Sequence, residues 1–353
     1  MTGSEWFATV PGGLNRYFTD LYRALHRWPD VEVSAAAFGN PELDGQSWGP
    51  VGGSTLRRAW IAFQDCPVLP RDAIIDRHFG LYGRPARGRQ GRHPLVVHFH
   101  GPWAAESLMA GSGKVAARTK YLIERIRYAG ADRYVVLSSH FRDVLTHSYR
   151  VPEKCIRVVP PGVDLDRFRT SVVPGSSGTV LCVRRLERRM GVHILLRAWP
   201  DVLAAHPDAR LVIVGTGSEE AALRAQAARS GAGSSITFEG HVDDARLSRL
   251  YEEAALTVVP SVALEGFGLI ALESLAAGRA PVVTDCGGLP DAVRGLDASL
   301  IVPAGDCEAL ADRVAAALSG RAPGLLQCRA HAETFSWLAA AQRHIALYEE
   351  LAS

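Results

Sequence analysis

The chain has 353 residues, too many for one ordinary hydrophobic core, and the size prior points to about two domains. Lys and Arg number 39 against 37 Asp and Glu. The resulting net charge of +2 gives no single-sign field to gather nucleic acid, so nucleic acid is excluded as the default partner. Six cysteines are scattered singly without metal or disulfide spacing, which fits a reducing, cytoplasmic setting.

The N-terminus, MTGSEWFATVPGG, has neither a basic leader nor a long apolar run, and no stretch of eighteen apolar residues occurs anywhere, so neither an export signal nor a transmembrane segment is expected. An α/β domain should open with a strand. Only a few residues precede the turn-like PGG, so the first strand is missing, very short or truncated. Gly12 and Gly13 would let a phosphate or sugar approach the backbone closely, although glycine pairs also make plain turns.

Next comes GRPARGRQGR (83 to 92), which reads as an exposed basic loop. PLVVHFH (94 to 100) reads as a strand. We expect one of His98 and His100 to turn to the opposite face, leaving His100, at the carboxyl end, as the ligand-facing candidate beside a purely structural alternative. KVAARTKYLIERIRY (114 to 128) sets Lys114, Arg118, Lys120, Arg125 and Arg127 among apolar residues. It is either a solvated helix face or a helix that makes peripheral contact with a membrane surface.

Strands follow at 133 to 139 and 155 to 161, and the Pro-, Gly- and Ser-rich RFRTSVVPGSSG (167 to 178) reads as a linker. Beyond it, strand patterns at 179 to 186, 209 to 215, 235 to 240, 256 to 261 and 280 to 285 alternate with helical ones, such as Leu195 to Ala205 and Glu219 to Arg229. The fold class is therefore α/β, built from parallel sheets covered on both faces. FSWLAAAQRHIALYEELAS closes the chain as an amphipathic helix that need not belong to the domain before it.

Ligands of such sheets bind beyond the carboxyl ends of the strands. CVRRLERRMG (182 to 191) places four arginines there, which suit a diphosphate or form a solvated basic turn. In VALEGFGLIALESLAAG a helix starts near Gly268. The backbone N–H groups there, with the positive end of the helix dipole, can bind an anion. Glu265 lies in that loop. Glu273, on the apolar helix, either accepts paired hydrogen bonds from a vicinal diol such as ribose or snorkels to solvent. IVGTGSEEAAL starts like a dinucleotide fingerprint, but Glu220 stands at its third glycine position, against an NAD-dependent oxidoreductase.

With these pieces in order, the chain resembles the family-4 retaining glycosyltransferases of the GT-B architecture over almost its full length. E-x7-E (Glu265 to Glu273) carries most of the likeness, with PGGLNRY, HFHGPW, VVPPGVD, VRRL, VGTG and the terminal FSW...LYEEL in the same order. The resemblance implies two Rossmann-like α/β/α domains facing each other across a deep cleft. An acceptor domain at 1–168, a linker at 169–178 and a donor domain at 179–333 would be followed by a helix at 334–353 that crosses back.

It also implies a nucleotide-diphospho-sugar co-substrate, UDP-sugar ahead of GDP-sugar, with no other cofactor and no metal. Gly12, Gly13, Arg185, Arg189, Gly215, Glu265, Gly266, Phe267, Gly268, Leu269 and Glu273 would bind the donor. His100, Glu265 and Arg185 would act at the reaction centre. The implied activity is transfer of a hexose-type sugar, with retention, to the hydroxyl of a small soluble acceptor in specialised metabolism. A nucleotide-sugar binder without turnover and a transferase acting on a membrane lipid are the alternatives. One departure stands out: Met190 occupies the position of the family's phosphate-binding lysine, and Arg188 or Arg189 would have to compensate.

Overall fold

The computed structural model describes residues 1–88, 91–104, 107, 111, 113–168 and 178–352. The chain folds as two compact units, Met1–Gly162 with the C-terminal segment from Trp337, and Val163–Ser336. The expected boundary at 168 is thereby moved. Val163 bridges Ser336 and donates to Phe335 O (2.8 Å), and Arg329 donates to Leu165 O and Phe168 O, so residues 163–168 and 334–336 belong to the second unit. Of the proposed linker, 169–177 lie outside the described residues.

The first unit carries β1 (Thr2–Glu5), α1 (Gly13–His26), β2 (Ala36–Phe38), β3 (Gln46–Ser47), α2 (Thr55–Gln64), β4 (Ile75–Arg77), β5 (Arg87–Gly88), β6 (Gly91–Arg92), β7 (Leu95–Phe99), α3 (Lys114–Tyr128), β8 (Arg133–Val136), α4 (Ser139–Ser148) and β9 (Ile156–Val158). Its seven-stranded sheet runs β3-β2-β1-β4-β7-β8-β9, with every pairing parallel. The first strand is present but only four residues long. Thr2 and Ser4 are buried, and a Cβ at Gly3 would meet the Phe18 ring at 2.7 Å. The basic stretch at 83 to 92 is not simply an exposed loop. Arg84 is buried against Asp65 (2.8 Å) and the Gln46 side chain (2.8 Å), and the chain then forms the small β5–β6 hairpin.

The second unit carries β10 (Thr179–Val183), α5 (Val192–Ala205), β11 (Arg210–Val214), α6 (Glu220–Arg229), β12 (Ile236–Gly240), α7 (Asp244–Glu253), β13 (Leu256–Val259), α8 (Leu269–Ala276), β14 (Pro281–Thr284), α9 (Leu289–Val293), β15 (Ile301–Val302), α10 (Cys307–Leu318) and α11 (Leu325–Glu333). Its six strands are ordered β12-β11-β10-β13-β14-β15, again all parallel. The central strands are Val-, Leu- and Ile-rich and buried, as a sheet covered on both faces requires. Helices begin where the sequence supplies caps: Asp243 accepts from Arg246 N (2.7 Å) and Asp306 from Ala309 N (3.0 Å). Both units are doubly wound Rossmann-like α/β layers, which is the expected fold class.

The last helix, α12 (Trp337–Ala352), packs with the first unit. Ala341 joins Tyr17, Leu21 and Leu25 of α1, and Leu347 packs with Val96, Val135 and Val159. Leu347 is 3% exposed, whereas Leu338 on the same helix is 59% exposed. Leu347→Ala should therefore cost about 2–4 kcal/mol in urea unfolding of the first unit. Leu338→Ala should stay within about 0.5 kcal/mol of the parent. Equal losses would contradict this packing.

Candidate functional site

In both sheets the strand order reverses between two neighbours, β1 and β4 in one, β10 and β13 in the other, and the carboxyl ends at such a switch point form a crevice. In the second unit the two chains leaving that point meet through charge. Arg184, directly after β10, is buried, and its guanidinium donates to the Glu265 carboxylate and to Ser261 Oγ. Ser261, just beyond β13, itself donates to Glu265 (3.1 Å), and its carbonyl accepts from Thr284 Oγ1 (2.5 Å) at the end of β14. Three adjacent strands thus hold one carboxylate.

Arg185, expected at the donor phosphate, is exposed, while the preceding Arg184 turns inward to Glu265, because side chains leaving a strand alternate sides. Arg189 donates to Leu264 O (3.2 Å) from the edge of the same loop, while Arg188 faces solvent 3.9 Å from Glu219. Met190 is buried in the core.

Leu264 adopts a left-handed φ of 51°, Gly268 one of 87°, and a Cβ at Gly287 would lie 2.1 Å from Glu265 O. The loop is thus bent tightly against the turn after β14, where Gly288 N donates to Glu265 O (2.9 Å). Gly266 and Leu269 are partly exposed at the N-terminus of α8. The Phe267 ring is buried against Phe335, so only its backbone could serve a ligand.

Glu273, one turn into α8, is partly exposed and accepts from the buried Tyr251 hydroxyl (3.0 Å). Tyr251, on α7, carries no signal of this role in the sequence. Its burial, then the Glu273 charge, raise its phenol well above the ordinary value, so it stays a donor. Gly215 lies where the chain passes closely. Its N–H is taken by Gly240 O (2.8 Å), and a Cβ there would lie 2.0 Å from Arg184 O.

In the first unit Gly12 and Gly13 are exposed at the start of α1, with nothing within 4 Å of a Cβ added to either. His98 and His100 do not point to opposite faces. Residues two apart on a strand share a face, and the rings lie 5.7 Å apart with planes 16° from parallel. His78, after β4, stacks on His98 at 3.7 Å and 20°. Asp76 Oδ1 lies 2.9 Å from His98 Nε2, and Tyr348 of α12 donates to Oδ2 of the same carboxylate.

Burial lowers the His98 imidazole to about 4 despite Asp76, and burial together with the neighbouring histidines holds His100 well below its ordinary value. These rings are neutral at neutral pH. Among the described residues, His78, His98 and His100 form the one group with metal-compatible donors, lying within 4.8 Å of one another. Their planes are nearly parallel, so their lone pairs do not converge on a common ion. The trio acts as a packed stack that orients His100.

Burial alone would raise the Glu265 carboxyl. The Arg184 charge and hydrogen bond, then Ser261 and Arg189, outweigh it and hold the group below its ordinary value. The pair therefore adds stability above that ordinary value, and the contribution fades as pH falls through the lowered one. Arg184→Gln should cost about 3 kcal/mol at neutral pH. The loss should shrink in urea melts near pH 4, where Glu265 is protonated in the unfolded chain and in the unpaired variant. A loss independent of pH would mean that packing, not charge, carries it.

A family model described as Glycosyltransferase Family 4 matches residues 11–167, and one described as Glycosyl transferases group 1 matches 177–320. The D-inositol 3-phosphate glycosyltransferase of Segniliparus rotundus is 30% identical over 96% of this chain and 84% of its own length. Among solved structures, sucrose-phosphate synthase of Thermosynechococcus elongatus superposes with a TM-score of 0.71 at 23% identity, covering 96% of this chain and 94% of that one. Anabaena HepE in complex with UDP gives 0.70 at 17% identity, covering 99% of each chain. The chain belongs to the family-4 glycosyltransferases of GT-B fold and is a glycosyltransferase.

Proposed function

We propose that the chain transfers a hexose-type sugar, with retention, from a nucleotide-diphospho-sugar to a hydroxyl of a small acceptor. The observation that carries this reading is the fixed spacing of two carboxylates at the second unit's switch point. Glu265 is held ionised by Arg184 and Ser261, and Glu273 is oriented by Tyr251 eight residues later across the N-terminus of α8. A carboxylate has about four lone-pair sites. Tyr251 orients Glu273 by donating to one of its oxygens, and the carboxylate accepts both hydroxyls of a ribose. Glu265 accepts from hydroxyls of the donor sugar.

As the bond from the anomeric carbon to the diphosphate oxygen breaks, negative charge builds on the leaving group. Arg185, Arg189 and the N–H groups from Gly266 to Leu269 supply positive potential there, which lowers the barrier. In the front-face course the acceptor oxygen bonds to the same face of that carbon, and its proton passes to the departing phosphate oxygen. Gly12, Gly13 and His100 of the first unit are the residues we assign to the diphosphate and to the transferred sugar. His100 does so as a neutral imidazole.

UDP is taken ahead of GDP, as in the Anabaena complex. A phosphorylated cyclitol is the first acceptor to try, because the Segniliparus relative is named for one.

A thermal-shift panel of UDP, GDP, ADP and dTDP with their sugars tests the donor. At about a hundredfold excess over Kd the winning nucleotide should stabilise the fold by about 3 kcal/mol. Glu273→Ala should weaken that nucleotide by about tenfold or more. Glu273→Gln, which still accepts from Tyr251, should lose less. Parental affinity in both folded variants would remove the ribose assignment.

A further inference from the structure

Helix α3 is set with its apolar stripe outward. Val115, Leu122 and Ile126 share one face by helical spacing, and they are 82%, 50% and 73% exposed; Ile123 beside them is also exposed. A surface helix ordinarily turns such a stripe to the core. Here the opposite side is fixed inward by a charge. Glu124 is buried and accepts from Trp103 N (2.9 Å), Ala104 N (3.3 Å) and the Tyr149 hydroxyl (2.9 Å). Rolling the helix to hide the leucine and isoleucine would expel that carboxylate from its three donors.

The charge around the stripe has one sign. Arg127 donates to Gly80 O (3.1 Å), and Lys120 is held over the Trp103 ring and donates to Ser107, so both serve the fold. Lys114, Arg118 and Arg125 are exposed along one flank of the apolar stripe, and Glu124, the helix's sole acid, is buried. Apolar side chains outward with only cations beside them match an anionic lipid surface, where the stripe enters the acyl boundary and the cations meet headgroups. No helix among the described residues is long and apolar enough to cross a membrane.

We propose that α3 docks the first unit onto anionic bilayers as a peripheral helix lying in the plane of the surface. The proposal does not depend on the donor assignment, since none of these residues is among those assigned to the donor.

The test is co-sedimentation of the full chain with phosphatidylcholine vesicles, with and without phosphatidylglycerol, in low and high salt. The chain should pellet with the anionic vesicles alone, and high salt should release most of it, because exposed charges are screened. Leu122→Ser with Ile126→Ser, and separately Arg118→Glu with Arg125→Glu, should each cut binding by about tenfold or more. Both should keep the parental melting temperature and nucleotide-induced shift. Leu56→Ser with Trp60→Ser, on the exposed face of α2, should bind as the parent does.

Equal pelleting with neutral vesicles, no pelleting at all, or binding unchanged in both α3 variants would overturn the proposal. So would an α2 variant that alone abolishes binding. If the α3 variants instead turn a dimer into a monomer in light scattering, the stripe faces a second copy of the chain and the lipid assignment fails.

Discussion

One ion pair organises the second unit's carboxyl edge. Arg184 and Glu265 are separated by 81 residues, yet β10 and β13 are neighbours in the sheet, so the residues that follow them emerge side by side. Taking either charge out of water alone would be strongly unfavourable, and the pair is tolerable because Ser261 completes it with hydrogen bonds to both partners. The same arrangement bends the loop from Leu264 to Gly268 and delivers the backbone of Gly266 to Leu269 at the start of α8. The stability of the edge and the polarity of the site thus have one source.

The first unit uses the same strand order with different chemistry at its switch point. Its edge carries open glycines and a stack of neutral imidazoles, and its guanidinium, Arg58 of α2, pairs with Glu5 at the end of β1. The stack is set from below by Asp76 and from the side by α12, whose Tyr348 donates to that carboxylate and whose His344 stacks on His98 at 5.3 Å. The terminal helix therefore does more than cover apolar surface. It supplies a hydrogen bond to Asp76, the carboxylate beside these rings.

Much of this was legible in the sequence, and what was not has physical reasons. Strands such as TVLCV and LVVHF announce themselves through β-branched runs because both of their faces are buried. TGSE and IDR do not. In β1 the core accepts small polar residues because the Phe18 ring fills the space over Gly3, and in β4 a buried aspartate is matched by His98 on another strand.

The VRRL motif marked the turn but not the inward pairing of Arg184 with Glu265, since which of two adjacent side chains turns inward depends on where the strand ends. Glu273 was visible as an acid on an apolar helix, but Tyr251 was not. A phenol twenty-two residues away on another helix has no local signature. Gly215 read as a ligand contact, yet its freedom is used by the Arg184 carbonyl passing close by.

The central claim is that Arg184 keeps Glu265 ionised in a place where burial would otherwise protonate it. The most direct measurement is an infrared titration of the carboxylate band, taken as the difference between the parent and Glu265→Gln. The account predicts a Glu265 band that persists below the ordinary carboxylate value of 4.5 and that shifts to higher pH when Arg184 is replaced by methionine. A Glu265 that titrates at or above 4.5 in the parent, or that ignores the loss of Arg184, would contradict it.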